Sequence, residues 1–546
     1  MNSLFLRWIE RPRNAILFLI GLSAMFYIGL GHVHLFDWDE INFAESAREM
    51  ISSGDYMRVQ INYSPFWEKP PLFFWLQVIS MKVFGVNEFA ARFPNAVFGT
   101  IYLCTFYIIG RKHISALFGI FWAILFFSTL LPHIYFKSGI IDPVFNFFIF
   151  LSLYNLMLVL SEDTGQNKNA ILSGIFSGLS VLTKGPVGFL LLALCFLVFT
   201  ILSKGKSTPR LKYFLYFIIG FLGLVCSWLL VELYQNGTEN MIKFMEYQAE
   251  LFSSPVAGHE QPFYYHFLVV FIGCFPISIY AIPSLMGTQL RSPIGFQKWM
   301  QILFWVVIIL FSISTTKIIH YSSMTYIPLS FLAALYLYRV WEGNLFWRQF
   351  MTWLYLGLGL LWGCIFITVP LILKYTNVLL PYIKDDFAKA SLNTPVNWTG
   401  YESITGVVLI AGVLWSLHYL KKNKIIHGLF IFAASINTTL LLTTYLILPK
   451  IEAFTQGPVV RFYQQISQEE AYIESYGYKS YAQYFYANQK YGKNEKRKDL
   501  NWLKFGQIDK PVYFVSKSTN TELDNVAGFR LIKTEGGFRF YKRNPK

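Results

Sequence analysis

The sequence predicts an all-α protein that crosses a membrane many times, followed by a small extracytoplasmic α/β domain. Three observations carry this. Of 546 residues, 54% are hydrophobic and only 14% charged, with mean hydropathy +0.42, which is too apolar for a soluble chain. Runs able to span a bilayer recur from residue 14 to residue 448. After Pro449 no such run occurs, and the sequence becomes polar and rich in tyrosine.

Arg7, Arg11 and Arg13 precede an apolar run from Ala15 to Leu30, and no small-x-small cleavage site follows. This segment reads as an uncleaved first span rather than a signal peptide. With it, apolar runs fall near 14–33, 89–110, 114–132, 143–160, 170–183, 187–203, 213–233, 263–287, 300–315, 323–338, 351–373, 403–420 and 425–448, about thirteen crossings. Loop charge gives the orientation. Arg111-Lys112, then Lys204, Lys206, Arg210 and Lys212, then Arg291 and Lys298, Arg339 and Arg348, and Lys421, Lys422 and Lys424 all fall on one side. Only Glu162-Asp163 with Lys168 is equivocal. The loop 34–71 and everything after Pro449 are therefore expected outside a plasma membrane.

The net charge of +15 does not point to nucleic acid, because no compact basic cluster or binding motif accompanies it. Cys104, Cys195, Cys226, Cys274 and Cys364 lie in or beside apolar runs without CxxC spacing, so they read as packing thiols. Two domains are expected, 1–448 in the membrane and 449–546 outside. In the second, PVYFVS and FRLIKTEGGFRFYK read as strands, the latter a hairpin at Gly536-Gly537, after helices near 459–467 and 480–487.

The stretch Asp37–Pro71 concentrates charge between apolar segments. Asn42, Phe43, Ala47, Met50 and Ile51 recur at helical spacing, which predicts a short amphipathic helix in the interface. A second interfacial helix is expected over 72–85. Asp39 and Glu40 begin the first helix, where a cap and a catalytic carboxylate are both open readings. Asp142, with Pro143 after it, allows the same two readings, and Lys184 at a Gly-Pro break could simply snorkel. Yet Asp39, Glu68, Lys69, Lys137, Asp142, Lys184, His259, His266, Lys317 and His320 all fall toward the outer face, and ionisable groups at membrane depth are usually functional. No Walker loop, GxGxxG, GxSxG or HExxH is present. Without a nucleotide-binding domain, a sugar substrate would have to arrive attached to a lipid.

DEINFAESAREMISSGDY followed by FWEKPPLFFW resembles the first outer loop of the GT-C polyprenyl-phosphate-dependent glycosyltransferases. The nearest pattern is that of the aminoarabinose (lipid A) transferase and protein O-mannosyltransferase-like families, D-E-x-R-Y-A-E-x-x-R-E-M and then E-K-P-P. One position departs: Asn42 stands where the aminoarabinose transferases carry Arg. The resemblance implies a GT-C fold and transfer from a polyprenyl-phosphate-linked sugar, on undecaprenyl phosphate in a bacterium, with inversion at the anomeric carbon if the displacement is a single in-line step. The acceptor would be a cell-envelope lipid, glycan or protein. Asp39 and Asp142 would be catalytic. Lys69, Lys184 in TKGP, and Lys317 with His320 would bind the donor phosphate. Glu40, Asn42, Tyr63, Glu68, Gln261 and Tyr264 would line the cavity. HEQPFYYH (259–266) is similar to the family's H-x-Q-P-F-x-Y-Y, and residues 241–252 read as a lid. No cofactor is required, although Glu68 and His259 could share a zinc ion. Two ligands make a weak zinc site, and a Glu–Lys ion pair with a hydrogen-bonded His is the alternative. A flippase or exporter of lipid-linked sugars is the rival function.

Overall fold

The computed structural model describes residues 2–161, 164–205, 209–253, 261–287, 295–314, 316–489 and 494–545. Every predicted apolar run contains a helix. Among the described residues seven helices are individually long and apolar enough to cross a bilayer, and the bent pair Ala116–Phe127 and Leu130–Phe136 makes an eighth. The shortfall from thirteen has local causes. Pro12–Tyr27 and Val187–Leu202 are 16 residues each, about 24 Å at 1.5 Å per residue, short of a hydrocarbon core of roughly 30 Å. The run 263–287 divides into Tyr265–Gly273, Ile277–Tyr280 and Ile282–Leu285.

Local chemistry sets the helix ends. The Asn87 side chain accepts from Ala90 N to start Glu88–His113, and Ser115 accepts from Phe118 N to start the next helix. Arg111, Lys112 and His113 occupy the last turn, where cations suit the helix dipole. Small residues set how closely helices approach. A Cβ on Gly110 would meet Gly119 Cα at 2.6 Å, so these two helices pack backbone against backbone, as membrane helices do at small residues.

The first outer loop forms the helix Asp39–Ser53, and Leu72–Phe84 follows. The first is not the surface amphipathic helix the spacing predicted. Glu40 through Met50 are all buried, and the N-cap position belongs to Trp38, with no side-chain cap. The reason lies at the other end of the chain. Arg48 is bound by Glu45 at 2.6 Å and donates to Gln489 O at 2.9 Å and Asn488 Oδ1 at 3.2 Å. The polar face of this helix is thus a seam with the C-terminal domain, where water had been expected.

That domain carries a four-stranded sheet in the order Tyr472–Tyr476, Val512–Lys517, Phe538–Arg543, Phe529–Glu535. The first pair is parallel and the others antiparallel. The hairpin turns at Gly536 (φ 60°) and Gly537 (φ 79°), and two successive positive φ angles favour two glycines there. The strand Tyr472–Tyr476 and the outer helix Asp386–Leu392, whose Phe387 packs on Phe538 at 5.2 Å, were not predicted. One hydrophobic cluster joins Phe43, Met50, Phe73 and Phe74 to Val460, Phe462, Phe485 and Phe540. The boundary at 448/449 follows the chain, but the core crosses it.

Candidate active site

Asp142 opens the helix Asp142–Ser161 and Lys184 ends its neighbour Gln166–Lys184. Packed side by side, the two helices bring both groups to the same end. Lys184 Nζ lies 2.6 Å from Asp142 Oδ1, and Asp142 is 3% exposed. Lys184 also faces the rings of Tyr321 and Phe145, at 5.3 and 5.6 Å. Asn146, one turn after Asp142, donates to Ser323 Oγ at 2.9 Å, and Ser323 Oγ donates to Asp142 Oδ1 at 3.4 Å. The Asp142 carboxylate is therefore held from two elements.

Asp39 comes from the loop helix and keeps its side chain 43% exposed. His320 Nε2 lies 3.8 Å from Asp39 Oδ2, and its field reaches Asp142, Lys184 and Lys69 as well. Burial lowers the proton affinity of this imidazole and Lys184 and Lys69 add to that, while Asp142 and Asp39 oppose it. The net effect is downward, toward a neutral ring. Tyr321 is pushed the other way: burial first, then Asp142, Glu68 and Asp39, hold its hydroxyl protonated as a donor. Lys69 Nζ sits 2.7 Å from Glu68 Oε1. Asp39, Glu68, Lys69, Asp142, Lys184, His320 and Tyr321 thus form one charged cluster. Lys317 is buried near it, donating to Ser314 O at 2.6 Å.

Other expected site residues lie elsewhere. Glu40 is drawn into a buried ion pair. It is 4% exposed, clasped by Arg92 through bonds of 3.0 and 2.8 Å, and accepts from Phe36 N at 2.9 Å. Arg92 also donates to the carbonyls of Leu30, Val33 and His34. Burial would raise the Glu40 carboxyl, but Arg92 and the backbone donors outweigh it and hold it below the ordinary value. The pair rivets the first outer loop to the membrane helices. Glu40→Gln leaves Arg92 buried without a counter-charge, so thermal unfolding in detergent should show a loss of about 3–5 kcal/mol; an unchanged Tm would refute the rivet. Asn42 is buried with its Oδ1 unpartnered.

Tyr63 belongs to the seam. Its N–H donates to Glu49 Oε2 at 2.7 Å, and its hydroxyl reaches Ser52 Oγ at 2.8 Å and Gln489 O at 3.3 Å. Burial and the neighbouring Glu45 push the Glu49 carboxyl up to about 9. Gln261 and Tyr264 are exposed just before the helix Tyr265–Gly273. His259 lies outside the described residues. Residues 241–252 continue the long helix Leu211–Ser253 beyond a break at Gly237 (φ 76°).

Among the described residues no group of three or more His, Cys, Asp or Glu side chains could hold a metal ion. Glu68 already faces an ammonium group, which disfavours a second cation beside it. The sequence reading missed Tyr321, Ser323 and Asn146. A polar residue four positions after Asp142 in an otherwise apolar span was the available signal for Asn146.

Residues 68–230 match the family model described as dolichyl-phosphate-mannose-protein mannosyltransferase. The undecaprenyl phosphate-alpha-4-amino-4-deoxy-L-arabinose arabinosyl transferase of Wigglesworthia glossinidia brevipalpis is 26% identical over 335 residues, 60% of this chain and 59% of that protein. An uncharacterised protein of Aquifex aeolicus is 28% identical over 330 residues, 59% of this chain and 73% of the other. The matched stretch spans about three fifths of the arabinosyl transferase. Among solved structures, apo ArnT from Cupriavidus metallidurans superposes with a TM-score of 0.78 at 16% identity, covering 97% of this chain and 98% of that one. The same protein bound to undecaprenyl phosphate gives 0.77 at 17% identity, covering 96% and 97%. The fold is therefore that of ArnT, along nearly the whole length of both chains.

Proposed function

We propose that this chain is an inverting glycosyltransferase of the GT-C class, moving a sugar from a polyprenyl-phosphate-linked donor to a cell-envelope acceptor at the outer membrane face. The Lys184–Asp142 pair beside Asp39 and His320 is the observation that carries this reading. Lys184 is a cation held ready by a carboxylate, and a donor phosphate arriving there can take the place of that carboxylate as its partner. As the C1–O bond to phosphate breaks, negative charge grows on the leaving oxygen, and Lys184 with Lys69 meets it without reorganising solvent. On the other face of C1 the acceptor oxygen forms the new bond. Where that oxygen belongs to a hydroxyl, its proton passes to Asp39, and His320 beside it can carry the proton onward. The products are the glycosylated acceptor and the free polyprenyl phosphate. No step is routed through a metal.

The arabinosyl transferase similarity favours undecaprenyl phosphate as the donor carrier and an aminoarabinose-like pentose as its sugar, with a lipid A-like acceptor. Asn42, replacing the family's Arg, leaves the sugar open to a hexose. The Lys/Arg bias of the loops supports an outer-face site in a plasma membrane.

The test uses purified protein in liposomes. With undecaprenyl-phosphate-linked aminoarabinose and lipid A supplied on the face opposite the lysine-rich loops, free undecaprenyl phosphate should appear at the rate the sugar is transferred. An exporter would move the donor across the bilayer and release none, which would overturn the proposal.

A further inference from the structure

The residue before Asp39 has a conformation its type does not explain. Trp38 has φ 75° and ψ −116°, a left-handed region that a bulky residue rarely enters without surrounding structure imposing it. Here the C-terminal domain imposes it. The Asp37 carboxylate accepts from Ser480 Oγ and, at 3.2 Å, from Tyr481 N, while Trp38 N donates to Asp37 Oδ1 at 2.8 Å. The turn is locked, yet the indole it presents is 46% exposed. Tyr481 meets that ring edge-on at 6.1 Å. Lys479, an exposed cation, lies 5.3 Å from the Trp38 ring centre and 5.4 Å from that of Tyr481. Strain persists at such positions where it serves a site, and this one adjoins the carboxylate assigned to the acceptor.

We infer that Trp38, Tyr481 and Lys479 form a subsite for the acceptor, which takes a sugar ring bearing an anionic group. The aromatic faces suit the C–H surface of a pyranose, and the exposed ammonium group suits a phosphate or carboxylate on it. This rests on the transferase reading above and deepens it. The donor sugar is the other conceivable occupant, but the flanks of Asp39 divide the two. On one side His320 connects Asp39 to Asp142 and Lys184, where the leaving phosphate is placed. On the other, Asp37 and Trp38 contact Ser480 and Tyr481 of the C-terminal domain. An in-line displacement needs its nucleophile opposite the leaving group, so the second flank falls to the acceptor. Under this inference the C-terminal domain contributes to acceptor choice.

The first measurement needs no turnover: saturation-transfer NMR on full-length protein in detergent, with N-acetylglucosamine 1-phosphate as the probe. Wild type should transfer magnetisation to the ring protons, and Trp38→Gly should abolish this. Gly adopts this positive-φ backbone without strain, so the turn survives while the ring is lost. Lys479→Gln should reduce the signal for this probe to that of neutral N-acetylglucosamine. In the liposome assay both variants should raise the acceptor KM about tenfold or more, with donor Kd within about twofold of wild type. A fall in donor affinity with the acceptor KM unchanged would assign the rings to the donor sugar and overturn the inference. So would wild-type probe binding and KM in both variants, the behaviour of rings that merely anchor in the membrane interface. If wild type binds the probe through Trp38 but releases no polyprenyl phosphate with any acceptor, the transferase reading fails and the sugar subsite stands.

Discussion

Asp39→Asn should lower kcat by about 10²–10⁴, the usual worth of general-base assistance, with donor affinity unchanged and folding almost unaffected. The structure sharpens this expectation. Asp39 was open to reading as a helix cap, but that position belongs to Trp38, and the first helical bond runs from Asn42 N to Trp38 O. What remains for Asp39 structurally is a favourable charge in the first turn, worth about 0.3–1 kcal/mol. A large loss confined to turnover therefore has one source, the missing carboxylate at the reacting face. The size of the loss also reports on the acceptor. A hydroxyl must lose a proton and needs the base. A phosphate is already ionised, so Asp39 would then only orient it and the loss would fall below this range. Turnover and donor binding, measured separately on one preparation, give the answer. Wild-type kcat in Asp39→Asn would remove Asp39 from the chemistry.

Lys184→Ala should cost about 2–4 kcal/mol of transition-state stabilisation, or roughly a hundredfold or more in rate, by removing the cation facing the leaving phosphate. It should also destabilise the protein by about 3–5 kcal/mol, because Asp142 is left buried with no counter-charge. Both losses follow from the 2.6 Å pair, and a second substitution separates them. Adding Asp142→Asn to a Lys184→Met variant removes both charges together, so much of the stability should return. Activity should not. If the double variant recovers turnover along with its Tm, Lys184 is a structural partner of Asp142 and the phosphate must be bound elsewhere.

The membrane half was largely legible because its signals are local. Apolar runs mark helices, and Asp142 and Lys184 stand out in sequences that otherwise avoid charge. The Glu40 ion pair was not legible for the opposite reason. Its role depends on Arg92, 52 positions later, and on Gly139, 99 positions later, and no spacing rule connects these. The loop helix was misread likewise. Its pattern of Glu45, Arg48 and Glu49 is that of a wetted face, and only the contacts of Arg48 with Asn488 and Gln489 reveal what covers it. Trp38 illustrates a third limit, since a backbone angle imposed by tertiary contacts leaves no mark in composition. The strand Tyr472–Tyr476 was missed because it is short and becomes stable only by parallel pairing with Val512–Lys517.

The bond from Ser480 to Asp37 closes a loop of 443 positions, and this sets the order in which the protein can mature. At about 5–20 residues per second of synthesis, roughly 20–90 s separate the emergence of Asp37 from that of its partner. Throughout that interval the Asp39 helix lacks the cover that buries Glu45, Arg48 and Glu49, and the turn at Trp38 has nothing to hold it. The Asp37–Trp38 turn that precedes Asp39 can take its final form only after the last domain has been made and docked. A chain that ends before Ser480 therefore lacks the Ser480 and Tyr481 donors that hold the Asp37–Trp38 turn.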